Sequence, residues 1–96
     1  MLTPMLFEPI TIGGLSVKNR INMPPMHTNL GNEDEGITDA GIDFYVARAK
    51  GGFGLVGIGI IDSYFVKGAG SPLEYFLEND RHIANYARCV KEIKKY

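Results

Sequence analysis

IDFYVARAKGGFGLVGIGIID, residues 42–62, is the stretch on which the fold turns. Ile42, Tyr45, Val46 and Ala49 fall at i, i+3, i+4 and i+7, one face of a helix. Just upstream, Thr38 is a good N-cap, and Asp39 adds favourable charge in the first turn. Lys50 suits the carboxyl end, and Gly51-Gly52 stops the helix. The spacing therefore predicts a helix over 39–50. Phe53 to Ile61 then carries no polar side chain. Its length and its bracketing by turn residues suit a strand near 54–60, buried on both faces as in a parallel sheet. Asp62 ends it.

Upstream, Ile10-Thr11-Ile12 and Leu15-Ser16-Val17 alternate apolar and polar residues around Gly13-Gly14. That pattern reads as a β-hairpin, since glycine accepts the positive φ of a tight turn. A strand is expected over 20–23, closed by Pro24-Pro25, which cannot donate ladder hydrogen bonds. The segment from His27 to Gly36 is polar and reads as a loop. Downstream, Ser63 to Glu78 looks like a long loop, and long loops in compact domains are often functional. Asp80 is the expected cap of a second helix over 80–95. Its apolar face would be Ile83, Tyr86, Ala87 and Val90, continued by Ile93.

Strand-helix-strand units of this length imply parallel strands with right-handed crossovers. The fold class is α/β: an N-terminal β-hairpin plus the first two βα units of a TIM (β/α)8 barrel, truncated. Such a barrel takes about 250 residues, against 96 here. An open two-layer α/β piece that pairs with another chain is the alternative.

Bulk composition narrows the function classes. The formal net charge of -1 offers no basic footprint for nucleic acid. The single cysteine, Cys89, cannot form an internal disulfide; it reads as a passive, partly buried thiol. The N-terminus has no signal-peptide pattern, and the longest apolar run is about half of what spans a bilayer. A cytoplasmic location is expected.

In barrels and open α/β sheets, ligands bind at the carboxyl ends of the parallel strands. That rule selects Pro24-Pro25-Met26-His27-Thr28 and Gly59-Ile60-Ile61-Asp62. His27 could donate a hydrogen bond to a cofactor carbonyl or tune its charge; the plainer reading is a loop histidine with a local hydrogen bond. His82 reads as a surface residue. Asp39 and Asp62 have no second group at a spacing that supports acid–base work. Gly51-Gly52-Phe53-Gly54 follows a helix and precedes a strand, the reverse of a dinucleotide fingerprint.

Taken together, Leu6-Phe7-Glu8-Pro9-Ile10, Leu15-Ser16-Val17-Lys18-Asn19-Arg20-Ile21, Pro25-Met26-His27-Thr28 and the ARAKGGFGL of 47–55 resemble the opening of the old yellow enzyme family. The MHTNL of 26–30 is most similar to the branch of bacterial 2,4-dienoyl-CoA reductase, with anaerobic enoate and bile-acid-acting reductases close by. The resemblance implies that residues 1–96 are the N-terminal part of an FMN-binding TIM-barrel domain, with the hairpin closing the bottom. It implies flavin contacts from Pro24, Pro25, Met26 and His27, and from Gly59 and Ile60. Ile60 departs from the glycine or alanine commoner there. NAD(P)H would be the reductant and a small-molecule enoate or enoyl-CoA the substrate. The family's third-strand glutamine, tyrosine proton donor and phosphate-binding arginine have no counterpart here. Nor do the FAD domain and 4Fe-4S cysteines of its long members; Cys89 does not match a cluster ligand. No catalytic or metal-binding residue is assigned. The isolated piece is expected to be inactive and to self-associate. A non-catalytic remnant, or an α/β interaction module, is the alternative from another function class.

Overall fold

The computed structural model describes residues 4–32, 34–62 and 73–96. A 3-10 turn over Pro4–Phe7 leads into an antiparallel hairpin, β1 (Ile10–Ile12) and β2 (Leu15–Val17), with Ile10 opposite Val17. Its turn places Gly13 and Gly14 at φ +54° and +86°, a region in which a Cβ is crowded.

The central unit is β3 (Asn22–Met23), followed by the short antiparallel pair β4 (Gly31–Asn32) and β5 (Gly36–Ile37), then α1 (Asp39–Lys50) and β6 (Leu55–Val56). β3 and β6 are parallel neighbours, Asn22 opposite Leu55 and Met23 opposite Val56. The helix matches its sequence reading, with Thr38 Oγ1 accepting from Gly41 N at 3.2 Å. Ile42, Tyr45 and Ala49 are buried beneath it. β4 and β5 lie inside the segment read as a loop.

Asn19 fastens the hairpin to this unit. Its Oδ1 accepts from Ile21 N at 3.0 Å, and its Nδ2 donates to Gly52 O at 2.6 Å. A Cβ on Gly54 would stand 2.5 Å from Asn19 Oδ1 and 3.0 Å from Val17 Cγ1. The hairpin thus packs at the amino end of β6. This arrangement also shortens the first strand, because Arg20 N donates to Leu6 O at 2.9 Å instead of joining the ladder.

The second strand departs from its sequence reading in two ways. Its ladder with β3 covers Leu55–Val56, plus one bond from Gly57 N to Met23 O at 2.8 Å. A separate strand, β7 (Ile61–Asp62), then pairs in parallel with β8 (Tyr75–Phe76). The Gly59–Ile60 peptide between them is cis. Nor is the run buried on both faces: Leu55, Ile60 and Ile61 are 37%, 42% and 39% exposed. Among the described residues β6 has one strand neighbour, so part of its surface has nothing to pack on. Of the expected long loop, residues 63–72 lie outside the described residues.

The second helix begins with a 3-10 turn, Asp80–His82, and continues as α2 (Ile83–Ile93). Asn79, not Asp80, supplies the cap, its Oδ1 accepting from Arg81 N at 3.1 Å. His82 is a correction: it is fully buried, and its Nδ1 accepts from Glu78 N at 3.0 Å. The local turn needs that acceptor, and the ring fills space beside Gly36. The inward face of α2 is also rotated from its expected position. Tyr86 and Cys89 pack on the core, while Ile83, Ala87 and Val90 are exposed. Asn85 fixes that rotation by donating to Glu35 O and Ile37 O at 3.2 and 3.3 Å. The core gathers Met23, Ile37, Ile42, Tyr45, Tyr75 and Cys89. No helix among the described residues is long and apolar enough to cross a membrane.

Candidate functional site

The carboxyl ends of β3 and β6 converge on one proline. A Cβ on Gly57 would stand 2.8 Å from Pro25 Cδ, and one on Gly59 2.6 Å from Pro25 Cβ. The Gly-Ile-Gly-Ile pattern is thereby explained: two glycines in the link that follows β6 leave room for the ring of Pro25. Of the six residues singled out in the sequence, Pro25 and Gly59 are in direct apposition. Pro24, Met26 and Ile60 are exposed at the same end, Met26 by 53%.

Tyr45 of α1 holds the Gly59 peptide. Its hydroxyl donates to Gly59 O at 3.1 Å and accepts from Gly59 N at 3.3 Å. Burial pushes the Tyr45 hydroxyl well above the usual phenol range, and its hydrogen bond with Tyr75 adds to the effect. It stays neutral and serves as a structural donor and acceptor. Tyr75 in turn shares a hydrogen bond with Thr28, its ring centroid 5.8 Å from that of Tyr45.

His27 pairs with Glu74. Its Nδ1 lies 3.1 Å from Glu74 Oε1, with the histidine side chain 53% exposed and the glutamate 3%. Glu74, Tyr75 and Tyr45 are the residues that the sequence reading missed at this end. Tyr45 was legible only as a core position. Glu74 and Tyr75 sit in a segment read as a loop, and no local pattern pairs them with residues 27 and 28. Among the described residues, no three His, Cys, Asp or Glu side chains group as metal ligands. Cys89 is buried, and burial pushes its thiol up to about 11.

The exposed apolar groups at this end, with one half-exposed imidazole beside them, suit a flat aromatic ring that needs apolar contact and few polar anchors. None of these residues is a lysine or arginine, so a phosphate would be held by other residues.

A hairpin at the amino end of a parallel β-α-β unit is an α/β arrangement of the kind from which barrels are built. Residues 5–96 match the NADH:flavin oxidoreductase / NADH oxidase family, and the chain belongs to it. It is 38% identical over 93 residues to an NADH oxidase of Thermoanaerobacter brockii, covering 97% of this chain and 14% of that protein. Two solved structures share the backbone. One is a 2-naphthoyl-CoA reductase in complex with 2-naphthoyl-CoA, with TM-score 0.86 and 28% identity over 99% of this chain and 14% of that one. The other is the old yellow enzyme homologue from Zymomonas mobilis, with TM-score 0.81 and 25% identity over 96% of this chain and 25% of that one. The chain thus spans a quarter or less of the length of each of these proteins.

Proposed function

We propose that this chain is the N-terminal, flavin-facing part of an FMN-dependent NAD(P)H oxidoreductase that reduces activated C=C bonds of the enoate or 2,4-dienoyl-CoA type. The observation that carries this reading is the seat of Pro25 against Gly57 and Gly59, which brings together the carboxyl ends of two parallel strands, with the chain neighbours Met26 and Ile60 exposed. Membership in the flavin oxidoreductase family supports it. Bound FMN would supply hydride transfer between NAD(P)H and the β-carbon of the activated bond. The chain's own part is to give the flavin ring an apolar bed from Pro24, Pro25, Met26 and Ile60. Tyr45 keeps the Gly59 peptide fixed, and His27 is the polar group on that bed. Ile60 contributes its side-chain surface here instead of the close approach a glycine would permit. In this reading the chain supplies the N-terminal hairpin and the first two βα units of a TIM barrel, in a cytoplasmic enzyme. FAD and 4Fe-4S groups, where a longer parent carries them, would be held by other residues.

By itself the chain is inactive, because a proton donor and a phosphate site are not among its assigned groups. The test is FMN titration and enone reduction, with this chain beside a version extended to the length of its relatives. Binding and turnover are expected in the long form, with weak binding and no turnover in the short one. NAD(P)H-dependent enone reduction by the short chain, free of the long form, would overturn the reading. A second reading, an α/β interaction module, is favoured by one observation. A groove of about 410 Å³ between the hairpin, β6 and α2 is lined by Leu15, Val17, Leu55, Val56, Val90 and Ile93.

A further inference from the structure

We propose that Glu74 is a positioning residue for His27: its carboxylate accepts the Nδ1–H proton and leaves Nε2 as the nitrogen offered to a ligand at the strand ends. A neutral imidazole has one N–H, and an ionised carboxylate can only accept. With Nδ1 3.1 Å from Glu74 Oε1, that proton belongs on Nδ1. The remaining nitrogen then carries a lone pair suited to a donor such as an imide N–H.

Glu74 can impose this choice because it is the fixed partner. Its side chain is 3% exposed, whereas that of His27 is 53% exposed. Its backbone is anchored on both sides. Gly31 N donates to Leu73 O at 2.8 Å, and Tyr75 pairs with Ile61 in the β7–β8 ladder. A Cβ on Gly31 would stand 2.3 Å from Glu74 O, so the close approach of this segment to β4 depends on that glycine. The next residues along both segments also pair, Thr28 with Tyr75. Two consecutive side-chain contacts therefore set the register of the histidine loop on the 73–76 segment. A second-sphere carboxylate that fixes a histidine tautomer is a general device for orienting the ring's other nitrogen.

The identity of the ligand rests on the flavin reading above; the tautomer does not. Long-range 15N–1H NMR of the labelled chain, at a pH where the imidazole is neutral, reads it directly. The expected result is a protonated Nδ1 and a bare Nε2. Glu74→Gln should move the population toward Nε2–H, because an amide can donate as well as accept. A wild-type Nε2–H tautomer would overturn the proposal, even if the variant fails to fold. So would an unchanged tautomer in a folded Glu74→Gln chain. In FMN titration, Glu74→Gln should weaken binding about threefold to tenfold and add nothing in a His27→Ala background. Additive losses would reduce Glu74 to a structural role and overturn the coupling. Should the version extended to the length of its relatives not bind FMN while Nδ1 is protonated as expected, the flavin reading fails and the positioning of His27 by Glu74 stands.

Discussion

Gly59 is held between Pro25 and the hydroxyl of Tyr45, and each contact yields a measurable expectation. Gly59→Val must displace Pro25, whose Cβ would lie 2.6 Å from the new carbon. It should cost about 1–3 kcal/mol, read as a lower urea midpoint, as overpacked sites do. Tyr45→Phe keeps the ring but strips two hydrogen bonds from a buried peptide. A loss of about 1–3 kcal/mol is expected in the same assay. Cys89 gives a pH signature. Its thiol is raised from 9.0 to about 11 by burial. The folded chain therefore keeps the proton that the unfolded chain releases. This contribution is fully present below about pH 9 and is lost as pH rises toward 11, by about 2 kcal/mol. The buried hydroxyls of Tyr45 and Tyr86, raised mainly by burial, act in the same direction. Denaturation midpoints at pH 8 and pH 10.5, compared with those of Cys89→Ala, isolate the thiol: the variant should lose less between the two values.

At the scale of elements, α1 depends on its cap. Thr38 Oγ1 accepts from Gly41 N and donates to Leu30 O. Thr38→Ala should cost about 1 kcal/mol, seen as a lower thermal midpoint. This helix was fully legible in the sequence because every signal for it is local: cap, periodic face and terminal glycines. The hairpin was legible for the same reason, and the parallel pairing of the two central strands followed from the strand-helix-strand rule. Where partners are distant, the sequence was less informative. The stripe Ile83, Ala87 and Val90 has good helical spacing, yet α2 is rotated by Asn85 bonds to backbone carbonyls around residues 35–37. His82 looked like a surface residue because nothing nearby announces that Glu78 N needs its Nδ1. The general rule on parallel strands selected all six candidate residues, Pro24, Pro25, Met26, His27, Gly59 and Ile60. The glutamate partner of His27, 47 residues away, had no signal at short range.

The whole molecule is open. Its radius of gyration is 14.9 Å and its extents are 49 × 25 × 23 Å, against about 12–13 Å for a compact domain of this length. Its accessible surface is 6190 Å², where about 5,500 Å² is usual for this mass. Leu15, Leu55 and Val90 contribute to the excess and line the groove beside β6. Exposed apolar surface next to a strand edge that has no neighbour among the described residues favours association. Sedimentation velocity should show concentration-dependent assembly at micromolar chain, reduced in Val90→Lys. A monomer at all concentrations with a sharp cooperative melt would show that the exposed surface is tolerated. The crossover through α1 has one more consequence, which concerns synthesis. Every ladder hydrogen bond that pairs β3 with β6 comes from the first three-fifths of the chain, and polypeptides leave the ribosome amino end first. The hairpin, the Asn19 fastening and the first parallel pairing can therefore be complete while later residues are still being added. Tyr75 and Cys89, emerging later, then meet a paired strand and helix on which to complete the core.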